Sequence, residues 1–319
     1  MGDSRLSATD PARKTMRFAA IINPGASTVK DVERDWLEET LVTRFAEGGH
    51  EVSINFADGP SMISAMKAAV KDDDVEGVIA GGGDGTISAA AAILRDTGKH
   101  LAVLPAGNMN LFARSLGVPL EIEAAIEALA CGRPGKADIA YANDRPFIHE
   151  FSLGLHPEMI EQRDKQKYGS RMAKLVASMR SLYQVILRPP RVRVWLDDGE
   201  GSERAIATPA LVVSNNVFGE GHLPYADRVD GGELGIYIAR SSRSADLAAV
   251  TARLPLGSWA DLPHMEFFTA KKLKLSRKRR LKVAIDGELV MMEAPVEIRI
   301  APGALDLIIP TEEHAVRGQ

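Results

Sequence analysis

The stretch Ala80-Gly81-Gly82-Gly83-Asp84-Gly85-Thr86 ends a short apolar run, Gly77-Val78-Ile79-Ala80, and leads into an alanine-rich run, Ile87–Leu94. An apolar strand, a glycine loop and a helix in that order present backbone N–H groups and a helix N-terminus to an anion. Without Cβ atoms the loop lets phosphate approach the backbone closely and takes up positive φ where needed. Asp84 is the unexpected member, because a carboxylate facing phosphate oxygens is repelled unless a divalent cation lies between them. A plain strand-to-helix turn with an Asp near the helix start is the alternative, and three adjacent glycines are more than such a turn requires.

The chain before and after this loop repeats the pattern. Arg17–Ile22 reads as a first strand and runs into Asn23-Pro24-Gly25-Ala26-Ser27, a small-residue turn with a hydroxyl. Val32–Ala46 has helical periodicity, Glu51–Phe56 is a second strand, and Pro60–Lys71 a helix with Pro near its start. Leu101–Leu104 is the strand after the glycine loop, and feeds Pro105-Ala106-Gly107-Asn108-Met109-Asn110 and a helix over Leu111–Leu116. Strands alternating with helices imply an α/β, doubly wound parallel sheet. Ligands of such sheets bind outside the carboxyl ends of the strands, so the three unusual loops are expected in one crevice. It is not a dinucleotide fingerprint: Thr86 stands where the last glycine of G-x-G-x-x-G belongs.

After the helix Glu121–Cys131, Arg133-Pro134-Gly135 reads as a linker and the pattern changes. Asp138–Tyr141, Pro146–Leu153, Arg191–Leu196, Ala210–Ser214, Leu234–Ala239, Phe267–Leu275, Leu281–Ile285, Val296–Ile300 and Leu305–Ile309 are short, β-branched-rich runs between turn signals. They predict an antiparallel β-sandwich, interrupted by one helix over about Tyr168–Leu187. The expected organisation is a disordered tail (1–15), an α/β nucleotide-binding domain (16–135), a β-sandwich substrate domain (136–303) and a C-terminal strand and tail (304–319) returning towards the first domain.

Composition excludes several classes. With 319 residues, 45% apolar and 26% charged, the chain has the make-up of a soluble two-domain protein. A net charge of −4 argues against a general nucleic-acid binder. The single cysteine, Cys131, rules out a disulfide framework and a Cys-built zinc site, and suits a reducing compartment. No apolar run reaches 18 residues, and the N-terminus lacks a signal-peptide core, so a cytoplasmic location is expected.

Asn23-Pro24-x-Ala26-Ser27, Gly81-Gly82-Gly83-Asp84-Gly85-Thr86, Pro105-x-Gly107-x-x-Asn110 and Asp286-Gly287-Glu288 together resemble the diacylglycerol kinase catalytic domain family, the ATP-dependent lipid kinases that include sphingosine and ceramide kinases. The likeness runs from about Arg17 to Pro310. It implies a phosphotransferase with an alcohol acceptor, ATP and Mg²⁺ as cofactors, and a diacylglycerol-like lipid as the favoured substrate. By the same resemblance, Asn23, Pro24, Gly25, Ala26, Ser27, Gly81, Gly82, Gly83, Asp84, Gly85, Thr86, Ile87, Ser88, Gly107, Asn108 and Asn110 hold the nucleotide, with Mg²⁺ near Asp84. Glu288 is implied as the base that takes the acceptor's proton, with Asp286 as its supporting carboxylate. From the residues alone, Asp-Gly-Glu is equally a hairpin turn between Leu281–Ile285 and Leu289–Met292. Since Asp84 and Glu288 belong to different domains, the resemblance places the reaction in the interdomain cleft. The third loop departs from the family's Pro-x-Gly-Thr-x-Asn-Asp, with Asn108 for Thr and Leu111 for Asp, and Ser88 stands where the family favours Asn.

The turn Asp227-Arg228-Val229-Asp230-Gly231-Gly232-Glu233 resembles a family loop that binds a structural Mg²⁺, which makes Asp227 and Asp230 candidate ligands. A solvated acidic turn is the alternative. Two basic runs bear on partners. Arg163–Arg193 carries nine Lys or Arg against one acid, and Lys271–Lys282 eight against none. Both suit peripheral contact with an anionic membrane surface, or simply a solvated face; aromatics, which a nucleic-acid binder interleaves, number two in the first run (Tyr168 and Tyr183) and none in the second, so RNA binding is the lesser expectation. Sandwich edge strands make a homodimer an expectation. Two rival functions remain: a kinase of a soluble substrate, as in the NAD kinases that share Gly-Gly-Asp-Gly-Thr, and a non-catalytic regulator that binds nucleotide or lipid.

Overall fold

The computed structural model describes residues 15–165, 180–199, 201, 203–254, 257–258, 262 and 264–316. The chain divides into two compact units, one made of residues up to Ala113, Gly117–Gly135 and Asp306–Val316, the other chiefly of Lys136–Leu305.

Along the first part of the chain come β1 (Arg17–Ile22), α1 (Arg34–Glu47), β2 (Glu51–Phe56), α2 (Gly59–Lys71), β3 (Gly77–Gly82), α3 (Asp84–Leu94), β4 (His100–Pro105), α4 (Leu111–Ser115) and α5 (Ile122–Ala130). The four strands are parallel in the order β2-β1-β3-β4, with Ile22 opposite Phe56 and Gly81, and Gly82 opposite Pro105. Right-handed crossovers to opposite sides put α1 on one face and α2 and α3 on the other. In agreement, α5 packs beside α1 and α2 beside α3. β3 is buried along its whole length, which is why it reads as an unbroken apolar run. Leu37, Leu41 and Phe45 project from α1 at helical spacing and are fully buried. Each such side chain contributes roughly 1.5–3 kcal/mol.

The strand order reverses between β1 and β3, so the crevice of this sheet opens at the carboxyl ends of those two strands. The loops that follow them are 23–27 and the glycine loop. One boundary differs from expectation here. α3 starts at Asp84 rather than Ile87, because extended Gly83 is its N-cap and accepts from the N–H groups of Thr86 and Ile87. Asp84, Gly85 and Thr86 are thus the first turn of a helix, where the N–H groups of Asp84 and Gly85 have no intrahelical acceptor.

The chain continues through β5 (Arg133–Ala142), β6 (Arg145–Phe147), β7 (Glu150–Gly154), α6 (Leu155–Asp164), helical residues 180–187 (α7), β8 (Val192–Asp197), β9 (Glu203–Thr208), β10 (Ala210–Asn215), β11 (Leu234–Ala239), α8 (Ser244–Arg253), β12 (Met265–Ala270), β13 (Lys272–Ser276), β14 (Leu281–Ile285), β15 (Glu288–Met292) and β16 (Val296–Ile309). In the second unit, an antiparallel sheet ordered β12-β11-β10-β7-β14-β15 faces a layer that includes the antiparallel run β16-β13-β8-β9. Phe151, Leu211, Ile236 and Val283 from the first sheet meet Leu196, Leu275 and Ile298 from the second in one buried core. This is the sandwich the alternating apolar runs predict.

The differences have local causes. Arg133-Pro134-Gly135 is the start of β5, not a linker, and Gly135 lies against Ile309. Pro146–Leu153 is two strands, because the N–H groups of Ile148 and His149 turn to the Asp286 carboxylate instead of a ladder. Phe267–Leu275 is also two strands, β12 and β13, which break at Lys271 and enter different sheets. Val296–Ile300 and Leu305–Ile309 are one continuous strand: residues 296–299 pair with β13 in the second unit, while Leu307 and Ile308 pair with β4 in the first. β9, α6 and α8 were not expected. Of the helix expected over Tyr168–Leu187, residues 168–179 lie outside the described residues.

Candidate active site

In the first unit, three loops meet at the ends of β1, β3 and β4. Asn23 N–H donates to the Gly81 carbonyl at 2.8 Å, Thr28 N–H to that of Ala106 at 3.1 Å, and Ala106 N–H to that of Gly82 at 2.9 Å. The Asn23 side chain closes its own turn, its Oδ1 accepting from Gly25 N–H at 2.9 Å. Gly83 and Gly107 touch backbone to backbone: a Cβ built on Gly107 lies 2.6 Å from the Gly83 Cα and 2.9 Å from Asn110 Oδ1. Only glycine permits that approach. A Gly107→Ala substitution is therefore expected to separate the two loops, raise the KM for nucleotide about tenfold or more and lower Tm, measured by steady-state kinetics and thermal melting.

Asp84 does more than sit at a helix start. Its Oδ2 accepts from Asn110 N–H at 3.0 Å and its Oδ1 from Leu111 N–H at 2.6 Å, so it clamps the third loop and caps the start of α4. Asn110, in left-handed conformation (φ 51°), exchanges two hydrogen bonds with the Gly107 backbone at 2.8 and 3.0 Å. Leu111, where the family favours Asp, joins the clamp through its backbone alone. Asn108 is exposed at the loop's tip. The cradle fits a polyphosphate: small residues, close backbones and the N-terminus of the eleven-residue α3 converge on it. Each Asp84 oxygen retains a lone pair, and one carboxylate with phosphate oxygens and water is the usual setting for Mg²⁺.

In the second unit, Asp286 and Gly287 are the two central residues of the β14–β15 hairpin, with φ 46° and 80° and Ile285 paired with Glu288. Asp-Gly suits such a turn, since both positions need positive φ. The hairpin reading of the sequence is thus correct, yet Asp286 also has a larger role. Its carboxylate accepts from the N–H groups of Ile148, His149 and Glu150, each at 3.0 Å, and its own N–H donates to Glu150 carbonyl at 2.9 Å. The turn is fixed to β7 from both directions. Glu288, at the first position after it, is exposed (side chain 68%) and paired with Arg145. The result is an oriented carboxylate on a rigid support.

Behind the turn lies a partly buried pair, Glu150 and His156. His156 Nδ1, at the start of α6, is 2.7 Å from Glu150 Oε1 and 2.9 Å from Ser152 Oγ. Both partners meet the same nitrogen, so the group is not a relay to a serine nucleophile. Burial alone would raise the Glu150 pKa, but the charge and hydrogen bond of His156 hold it at about 2. Burial likewise works to lower His156, and Glu150 overrides it upward. The Glu150 contribution to stability is complete above pH 4.5 and fades as pH falls towards 2; that of His156 is complete below pH 6.5 and fades as pH rises through its elevated pKa. In Glu150→Gln, thermal melts are expected to show a deficit against wild type that is larger at pH 5.5 than at pH 8.5.

The remaining candidates have partners of their own. Asp227 pairs with His222 Nε2 at 2.8 Å, and Asp230 with Arg228 at 3.2 Å. Among the described residues no three His, Cys, Asp or Glu side chains are gathered so as to hold a metal. The buried acid nearby is Asp138, whose oxygens accept from Gly232 N–H at 2.7 Å and Gly303 N–H at 2.8 Å and so tie two turns together. An Asp opening an apolar strand was its sequence signal. Arg145, Glu150 and His156 had no local signal, because their partners are set by tertiary contact.

A model of the diacylglycerol kinase catalytic domain matches residues 17–142, and one of the YegS C-terminal NAD kinase beta sandwich-like domain matches residues 161–309. A Synechocystis sp. protein whose name assigns it no activity is 26% identical over 315 residues, 94% of this chain and 71% of that one. A Streptococcus pneumoniae protein named "Putative lipid kinase" is 26% identical over 298 residues, 92% of this chain and 98% of that one. A Bacillus anthracis crystal structure described as a "putative diacylglycerol kinase" aligns with TM-score 0.74 at 20% identity, covering 94% of this chain and 97% of that one, which is a likeness of fold. No described helix is long and apolar enough to cross a membrane.

Proposed function

Since this chain belongs to the diacylglycerol kinase family, its catalytic domain followed by the YegS-type β-sandwich, we propose that it is an ATP-dependent kinase of a lipid hydroxyl, with a diacylglycerol-like acceptor favoured. Bound ATP supplies the transferable phosphoryl group, and its Mg²⁺ neutralises charge on the phosphate oxygens. The protein's own contribution is positioning. The glycine loop and the first turn of α3 hold phosphate through backbone N–H groups, and Asp84 keeps the third loop against them. Glu288 accepts the proton of the acceptor hydroxyl as the new O–P bond forms and the bond to the ADP leaving group breaks. Arg145 sets the direction of Glu288, and Asp286 fixes the turn that carries it.

The observation that carries this reading is the exposed, oriented Glu288 on a turn held by three backbone N–H groups. Neither a nucleotide-binding regulator nor a plain hairpin has use for it. The test is incubation with γ-labelled ATP and Mg²⁺ and a panel of diacylglycerol, monoacylglycerol, phosphatidylglycerol, ceramide and sphingoid bases in mixed micelles. Label is expected in the organic phase, greatest with diacylglycerol. Robust conversion of NAD to NADP, with no labelled lipid, would assign the chain to the soluble-substrate alternative.

A further inference from the structure

In the second unit, several surface cations have a carboxylate partner. Arg280 pairs with Glu293, Lys274 with Glu297, Lys282 with Glu158 and Glu161, and Arg204 and Arg240 with Glu266. The connection from β13 to β14 gathers three cations in a row. Arg277, Lys278 and Arg279 are consecutive and exposed, and among the described residues they form no ion pair. Ser276, just before them, is paired with Trp195 of the antiparallel strand β8. The chain leaving Ser276 therefore runs towards Arg193 and Arg191, which are also exposed and without an ion pair among the described residues.

Beside these cations stands unusual apolar exposure. Trp195 is 54% exposed, and Leu187 and Tyr183 of α7, joined to β8 by the short connection 188–191, are 53% and 63% exposed. Trp195, Ser276 and Glu203 line an open depression of about 420 Å³. Glu203 marks its far rim. With Asp197 and Asp198 it forms the acidic β8–β9 turn, at the opposite end of β8 from the basic connection. Cations and an indole gather at one end of β8, whereas at the other Asp197, Asp198 and Glu203 stand beside Lys272 and Lys274.

We propose that this end of the sandwich, Arg277-Lys278-Arg279 with Arg191, Arg193 and Trp195, docks the protein on the headgroup layer of an anionic bilayer. The inference rests on the lipid-acceptor reading above, since an acceptor dissolved in a bilayer must be reached there. Adjacent uncompensated cations attract an anionic leaflet, and an indole settles at the headgroup level. A nucleic acid shares the phosphate chemistry, and the two exposed rings, Trp195 and Tyr183, could stack bases, so RNA is a competing outcome of the test.

The test is co-sedimentation of the full chain with phosphatidylglycerol–phosphatidylcholine vesicles, without ATP, against pure phosphatidylcholine. Binding is expected only to the anionic vesicles and to weaken with salt. The Arg277→Ala/Lys278→Ala/Arg279→Ala variant is expected to bind about 100-fold more weakly, with an unchanged Tm and unchanged phosphorylation of a monomeric short-chain diacylglycerol. Brominated lipids are expected to quench fluorescence in wild type more than in Trp195→Phe. Wild-type binding by the triple variant, or binding of a short single-stranded RNA in place of vesicles, would overturn the docking surface and leave the kinase reading intact. Cation-dependent vesicle binding with no lipid phosphorylated in any form would sustain the surface and remove the kinase reading.

Discussion

Glu288→Gln is expected to lower kcat for lipid phosphorylation by about 10²–10⁴-fold, the usual worth of a positioned general base. Tm should stay within about 2 °C of wild type. The two outcomes separate because Glu288 is exposed and its pairing with Arg145 is a surface ion pair, which contributes about 0–1 kcal/mol. Asp286 is unsuited to the same test. Its carboxylate accepts three backbone N–H groups, so Asp286→Ala strands three donors as well as forcing alanine into left-handed backbone. Loss of activity there would report the collapse of the turn. An unchanged rate in Glu288→Gln, measured with saturating nucleotide and a micellar acceptor, would remove Glu288 from the chemistry.

Asp84→Ala should be damaging twice over. It deletes the acceptor for Asn110 and Leu111 N–H, and hydrogen bonds to a charged group are each worth about 1.5–3 kcal/mol. A loss of roughly 2–4 kcal/mol and at least a 100-fold fall in kcat/KM for nucleotide are expected. Asp84→Asn divides the two roles. Its remaining carbonyl oxygen can accept one of the N–H groups, so stability should recover part of the way. The negative charge that a bound cation needs is gone, so activity should not recover with it. Chemical denaturation and nucleotide titration of both variants read the two effects independently. Full activity in Asp84→Asn would show that the carboxylate serves only as a clamp.

Much of the first unit was legible because its signals are local. An apolar run such as Gly77–Gly82 followed by small residues and a helix identifies a buried parallel strand with a ligand loop, and four such units imply the sheet order's crevice. The roles of individual side chains were less so. Nothing near Asp84 says that its oxygens are taken by the third loop, and nothing near Asp286 reveals partners more than a hundred residues away. Strand breaks followed the same rule: Ile148 and His149 look like strand residues, but the Asp286 carboxylate competes for their N–H groups and wins. The long β16 was divided in the sequence by Pro302 and Gly303, turn signals that tertiary context overrode, with Gly303 N–H bonded to Asp138. The basic run Lys271–Lys282 was visible as composition. Which of its charges are compensated became visible only once Glu293, Glu297, Glu158 and Glu161 had places in space.

The most direct measurement compares one purified preparation on two acceptors, diacylglycerol in micelles and NAD in solution, with γ-labelled ATP and Mg²⁺, for wild type and Glu288→Gln. Label partitioning into the organic phase with diacylglycerol, absent with NAD and abolished by Glu288→Gln, is the expected result. Label appearing in NADP, or lipid labelling indifferent to Glu288, would contradict a lipid kinase built on the glycine loop and the Asp286-Gly287-Glu288 turn.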